Sequence, residues 1–335
     1  MQTRENALHQ WLKTIYPSND YSLVPLAGDA SFRRYYRLIH DGISQIVMDT
    51  PPDKLKLEPF VQVSNLLAEQ GIKTPKIHAL DDSLGFALLE DFGDILFSEA
   101  LRQQDPQALY PSAIQVLMQM QQNHSQLNIP LPVFDQGFML QELTLFSEWF
   151  LQRYLGLNLQ AEEHQLIQNT FQMLTLQIAN QPQVLVHRDY HSRNIMLLDS
   201  ADSASHTLGI IDFQDAVLGP ITYDLVSLLK DCYIQLPNKE LNEWVQYFYD
   251  HSSLAQQVPF SEFQRAFDWC GLQRHLRILG TFCRLHLRDA KSNYLNDLPR
   301  TYQYVITCID KHPEFQAFGQ WLKQRVDPYF QSTAV

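Results

Sequence analysis

The sequence predicts an α+β protein of two lobes, a small β-rich N-terminal lobe and a larger, mainly helical C-terminal lobe. Three observations carry that reading. Short β-like runs separated by turn signals fill residues 21–48, long helical patterns dominate after about residue 94, and one compact apolar block at 184–219 interrupts them with two short strands. The 335 residues correspond to about two domains, or one domain of two lobes, with the division expected between residues 1–93 and 94–335.

The elements follow from local chemistry. Leu8, Leu12 and Ile15, with Trp11 between, recur at helical spacing and predict an opening amphipathic helix. Strands are expected at 21–26, 32–39 and 43–48. The first two are joined by the turn Ala27-Gly28-Asp29-Ala30-Ser31, the last two by Asp41-Gly42, a strong hairpin signal. Pro51-Pro52 ends the third strand. A helix over 58–70 would place Val61, Leu66 and Leu67 inward and stop at Gly71. A strand at 84–89 leads into Glu90-Asp91-Phe92-Gly93, followed by helices at 106–123, 137–155 and 161–180. Helices resume at Tyr223 and continue to the C-terminus.

Lys and Arg number 25 against 37 Asp and Glu, a net charge of −12, which argues against nucleic acid or an anionic membrane as partner. No run of 18 apolar residues occurs. The four cysteines form no CxxC pair and read as buried thiols of a reducing compartment. With no signal-peptide pattern at the N-terminus, the expected location is the cytoplasm and the expected state a monomer.

The chemistry concentrates in Val186-His187-Arg188-Asp189-Tyr190-His191-Ser192-Arg193-Asn194 and in Ile210-Ile211-Asp212-Phe213-Gln214-Asp215. Asp189 stands just past an apolar strand, where a carboxylate can accept a proton from a substrate hydroxyl. Asn194 supplies a neutral oxygen and Asp212, at the end of the next apolar strand, an anionic one. Converging, these two make a hard-oxygen site for Mg²⁺. A base plus such a pair is the minimum that phosphoryl transfer needs. The alternation of His187, Asp189 and His191 also permits a zinc reading, but no further ligand appears at an adjacent strand end. The ordered string H-x-D-x-x-x-x-N, then apolar-apolar-Asp-Phe, favours the phosphotransfer reading.

On these residues the chain resembles the aminoglycoside phosphotransferase superfamily, the two-lobed kinases with a protein-kinase-like fold, from about Gly28 through the C-terminal helices. The resemblance implies ATP and Mg²⁺ as cofactors, Asp189 as catalytic base, and Asn194 and Asp212 as metal ligands. It implies structural support of the catalytic loop by His187 and by Asp224 in Gly219-Pro220-Ile221-Thr222-Tyr223-Asp224, and a place facing the acceptor for Asp215 and His191. Asp91-Phe92-Gly93 spells a metal motif but precedes the catalytic loop, so Glu90 and Phe92 are read instead as a hinge meeting adenine, with a simple turn as the alternative for Asp91. Gly28, Asp29 and Ser31 occupy the place of the phosphate loop. The third strand, Ile46-Val47-Met48-Asp49, lacks the lysine usual there, and Val61 or Gln62 stands near the expected helix glutamate. Arg33 or Arg34 is expected to supply the missing charge.

Arg274, Arg277, Arg284 and Arg288 share an arc of about 80° on one helix, with Leu272, Leu276, Leu279 and Phe282 on the other side. Such a stripe can be a solvated face; it can equally grip a carboxylate, for which Arg has the fork geometry. A narrower resemblance rests on Gly28-Asp29-Ala30-Ser31-Phe32-Arg33-Arg34-Tyr35-Tyr36-Arg37, Val47-Met48-Asp49-Thr50-Pro51-Pro52, Arg274-His275-Leu276-Arg277-Ile278-Leu279-Gly280 and Asp297-Leu298-Pro299-Arg300. These are similar to the bacterial anomeric N-acetylmuramate/N-acetylglucosamine kinases. That family itself departs from the third-strand lysine. It implies a small amino-sugar substrate phosphorylated on its C1 hydroxyl to the α-1-phosphate, in peptidoglycan recycling, with Arg274 and Arg277 on the lactyl carboxylate. Choline-, homoserine- or aminoglycoside-type acceptors remain open, since Asp215 and Asp289 could make an acidic pocket, as does a nucleotide-binding pseudokinase.

Overall fold

Antiparallel pairing organises the N-terminal residues. The computed structural model describes residues 2–18, 20–26, 32–122, 130–198 and 206–331. Gly28, Asp29 and Ser31, and the turn they belong to, lie outside the described residues. The contacts divide the chain into two compact units, 1–104 with 193–215, and 105–192 with 216–335.

In the first unit, α1 (Gln2–Ile15) precedes β1 (Ser22–Pro25), β2 (Arg34–His40), β3 (Ile43–Asp49), α2 (Glu58–Glu69), β4 (Ile77–Asp81), β5 (Phe86–Glu90) and α3 (Phe97–Gln103). The strands form one sheet in the order β1-β2-β3-β5-β4, antiparallel throughout. Asp41 (φ 49°) and Gly42 (φ 75°) close the β2–β3 hairpin. Both residues of such a two-residue turn need positive φ, which Gly and Asp tolerate best. Leu38, Val47, Phe86 and Leu88 turn one face of the sheet onto Leu8, Trp11 and Leu12 of α1. α2 buries Phe60, Val63, Leu66 and Leu67, whereas Val61 is only partly covered, so the inward face lies one residue off the expected one. Gly71, at φ 75°, takes the left-handed position that ends the helix, and Ile72 N donates to the Leu67 carbonyl.

The strand β4 was not anticipated: in Ile77-His78-Ala79-Leu80-Asp81 every position is at least partly exposed, so its apolar alternation is weak. The block at 184–219 also differs from the two strands expected. It contains four: β6 (Gln183–Val186), β7 (Ile195–Leu197), β8 (Leu208–Ile210) and β9 (Val217–Pro220). β7 and β8 pair with each other in the first unit, where Leu197 N donates to Ile95 O and Ile210 N to Lys73 O. β6 and β9 pair in the second unit.

The second unit is mainly helical: α4 (Pro106–Gln122), α5 (Gln136–Leu145), α6 (Ala161–Ala179), α7 (Tyr223–Leu229), α8 (Asn238–His251), α9 (Phe260–Asp289), α10 (Leu298–Lys311) and α11 (Gln316–Arg325) are its main helices. The single helix expected over 137–155 is α5 continued by a π-helical segment, Phe146–Tyr154. At that junction α9 passes so close that a Cβ on Gly280 would lie 2.2 Å from the Leu145 carbonyl oxygen. α9, 30 residues long, packs against α5, α7, α10 and the π-helical segment, and buries Arg274 and His275 as well as its apolar face. The four cysteines are buried free thiols. Among the described residues, no helix is long and apolar enough to cross a membrane.

Candidate active site

The second unit carries the loop that follows β6. Asp224, in the first turn of α7 and wholly buried, accepts from His187 N (2.6 Å) and Arg188 N (3.0 Å). Two main-chain donors on one carboxylate hold the loop in a conformation that places Arg188 at φ 76°. Burial raises the Asp224 carboxyl to about 6 against the pull of those bonds and of His187. The His187 ring is 2% exposed and lies edge-on to Tyr190, whose hydroxyl donates to Ala113 O at 2.9 Å. Asp231 accepts from Ser192 N (3.0 Å) and Tyr233 N (2.8 Å), a second clamp that sequence reasoning missed.

Asp189 lies between these clamps, its side chain 38% exposed. Arg277 Nη2 stands 3.5 Å and Arg274 Nη2 3.9 Å from its Oδ1. Burial pushes this carboxyl up, but Arg277, His191, Arg274 and Arg188 outweigh burial and hold it well below the usual carboxylate range. Arg277 also reaches Glu142 Oε1 of α5 (3.1 Å), and the same carboxylate receives Arg188 Nη2 and Gln273 Nε2. Glu142 was invisible to sequence reasoning; its one signal is a lone acid in the apolar stretch Phe138-Met139-Leu140-Gln141-Glu142-Leu143. Arg274 is 1% exposed, and its Nε and Nη1 have no hydrogen-bond partner among the described residues. The His191 imidazole, edge-on to Tyr233, is pushed down by burial against the fields of Asp231 and Asp189.

The first unit carries the second half of the motif. Ile211 N donates to Asn194 O at 3.1 Å, which sets the Asn194 backbone beside the residue preceding Asp212. Asp212 adopts φ 62°, and Phe213 is fully buried in a stack on Phe60. Gln214 Nε2 bridges Asp212 Oδ1 (2.9 Å) and Asp215 Oδ2 (3.4 Å). An amide oxygen and a carboxylate oxygen are hard donors of the kind Mg²⁺ takes from a protein while keeping other positions for water and phosphate, so the donor set fits that ion. Among the described residues no group of three or more His, Cys, Asp or Glu could hold a metal, so His187, Asp189 and His191 do not make a zinc cluster.

Of the two candidate arginines, Arg34 is 2.7 Å from Asp49 Oδ2, a carboxylate that Arg4 also engages. Arg33 is buried, and its charge opposes that of Asp212 at Tyr35, whose hydroxyl burial raises to about 12. Glu90 N donates to Lys76 O, and the Phe92 ring lies where a Cβ on Gly209 would be 2.5 Å away. Asp91 accepts from Arg37, Ser44 and Gly93 N, the bonds of a braced turn.

Comparison with known proteins adds the following. Residues 22–256 match the phosphotransferase enzyme family. The chain is 39% identical over 319 residues to the N-acetylmuramate/N-acetylglucosamine kinase of Neisseria meningitidis, covering 93% of this chain and 92% of that protein. Among solved structures, Plasmodium vivax ethanolamine kinase is similar with a TM-score of 0.64 at 13% identity, over 92% of this chain and 87% of that one. The ADP-bound aminoglycoside phosphotransferase APH(2'')-Ib is similar with a TM-score of 0.59 at 16% identity, over 90% of this chain and 97% of that one. These likenesses show a protein-kinase-like fold.

Proposed function

Because the chain belongs to the phosphotransferase enzyme family, we propose that it is an ATP-dependent sugar kinase acting on the anomeric C1 hydroxyl of N-acetylmuramate and N-acetylglucosamine to give the α-1-phosphate. The reading extends to a role in cell-wall sugar recycling and to a cytoplasmic monomer. The observation that carries it is Asp189, a carboxylate kept ionised by Arg277 and Arg274 on a loop clamped by Asp224. The cationic surroundings of Asp189 favour a neutral or anionic acceptor over an ammonium compound such as choline.

In this reading Asp189 accepts the proton of the C1 hydroxyl as the oxygen bonds to the γ-phosphorus, and ADP departs with the electrons of the broken P–O bond. An anomeric hydroxyl is more acidic than other sugar hydroxyls, so a weak base suffices. Arg274 and Arg277 bind the acceptor beside that base, with His191 and Asp215 also facing it, while His187 and Asp224 support the loop. Asn194 and Asp212 would hold Mg²⁺, which neutralises charge on the phosphates when bound. Gly28, Asp29 and Ser31 are assigned to the phosphates, and Glu90 and Phe92 to the adenine. Arg33 is favoured over Arg34 as the cation replacing the third-strand lysine, because it is buried and its charge, like that of Asp212, acts on Tyr35. R33Q should therefore raise KM for ATP more than R34Q; the reverse order would reassign the role, and no change in either variant would remove it.

The test of the function is incubation with Mg-ATP and each sugar, with the product read by ³¹P and ¹H NMR. Phosphate coupled to the anomeric proton is the expected result. Phosphate on another hydroxyl, or no sugar phosphate at all, would overturn the reading.

A further inference from the structure

The four arginines along one face of α9 differ in what they touch. Arg274 and Arg277 are committed to Asp189, and Arg277 to Glu142 as well. Arg288 makes two 2.8 Å bonds to Asp289. Arg284 makes no hydrogen bond or ion pair with any other described residue, and its Nε is fully buried. Burial and the nearby charges of Arg288 and Arg277 push this guanidinium down, opposed by Asp289. A half-covered cation among like charges, with donors unused, is a place where an anion is stabilised on arrival.

Its place on the helix fits one kind of anion. Arg284 follows Arg277 by seven residues, which returns it to the same face about 10.5 Å further along the helix. Thr281 lies between them on that face, partly exposed, with its hydroxyl donating to Arg277 O. A pyranose whose C1 hydroxyl sits at Asp189 carries its C3 substituent two ring carbons away, and an acid attached through the C3 oxygen reaches further from the base than the ring itself. At Arg277 a carboxylate on that substituent would meet Asp189 and Glu142, whereas the acid near Arg284, Asp289, is already bonded twice to Arg288.

We propose that Arg284 is a specificity-determining residue that binds the carboxylate of an acidic amino-sugar acceptor, leaving Arg274 and Arg277 to the reacting end of any acceptor. The inference rests on the sugar-kinase reading above, and it divides the four arginines by task.

The experiment compares kcat/KM for N-acetylmuramate and N-acetylglucosamine in wild type, R284Q and R284K. In R284Q the ratio of the two values should fall about ten- to a hundredfold, the worth of a charge-assisted bond, mainly through KM for N-acetylmuramate. R284K, which keeps the charge without the fork, should fall between wild type and R284Q. N-acetylmuramate with its carboxylate converted to a carboxamide should be as poor a substrate for wild type as the acid is for R284Q, and R284Q should lose nothing further on it. A ratio that stays within about twofold in R284Q, or an R284Q loss that persists on the carboxamide, would overturn the proposal. Wild type that phosphorylates neither sugar would instead remove the sugar-kinase reading itself.

Discussion

Asp49 and Asp189 each face two arginines, at different separations. Asp49, at the end of β3 in the first unit, has a side chain only 1% exposed, with Arg4 Nη2 and Arg34 Nη2 both at 2.7 Å. Arg4 Nε adds a third bond at 2.9 Å, and the Arg4 guanidinium lies 4.3 Å from the centre of the Phe86 ring. Asp189, in the second unit, is 38% exposed and holds its arginines at 3.5 and 3.9 Å. At Asp49 the N–H donors lie at full hydrogen-bonding distance, so the group ties α1 and β2 to β3. At Asp189 the arginines stand at or beyond the limit of a hydrogen bond, so they act as a field: they keep the carboxylate ionised without saturating its oxygens. Separation, more than residue type, distinguishes the structural pair from the carboxylate proposed as the base.

D189N removes the proposed base while keeping the shape, and kcat should fall by about 10²–10⁴ in a coupled ADP-release assay. A variant retaining wild-type turnover would erase the contrast. D49N should act on stability instead: breaking a buried ion pair costs about 3–5 kcal/mol, and the partial exposure of Arg4 and Arg34 places this case near the lower figure. Urea unfolding of both variants should show the larger loss in D49N, and equal losses would mean that Asp189 is also a structural pair.

The pH profile sharpens the comparison. Asp189 is held low, so it stays ionised through the weakly acidic range and cannot produce an acid limb there. Asp224, raised by burial from its ordinary 3.8 to about 6, can. As pH falls through about 6 it takes up a proton, and the anion receiving the two loop N–H groups is lost. The stability effect has the opposite sign: a carboxyl whose folded pKa is raised favours folding below its unfolded value and withdraws that contribution as pH rises through about 6. Activity at pH 5 should therefore be about a tenth of the plateau while this group's contribution to stability increases. In D224N, where nothing titrates at that position, the limb should flatten; an unchanged limb would assign it elsewhere. The smallest effect is expected from E142Q, which weakens the counter-charge to Arg277 and Arg188 and should lower kcat/KM for both sugars about three- to tenfold. No effect would mean that Arg277 is positioned without Glu142.

Local rules made much of this protein legible from its residues alone. The Asp41-Gly42 hairpin, the helix stop at Gly71, the apolar face of α1 and the order of Asp189, Asn194 and Asp212 all follow from backbone conformational preference, residue periodicity or motif spacing, which act over a few residues. The features that escaped depend on groups far apart in the chain. Glu142 meets an arginine 135 residues away, and Asp49 meets one 45 residues before it. The β7–β8 pair takes its place in the first unit through bonds to Lys73 and Ile95. Strand β4, with little apolar alternation of its own, is defined by its pairing with β5. A buried charge must find a counter-charge and a buried strand edge must find a partner, and only the folded chain decides which distant residue supplies it.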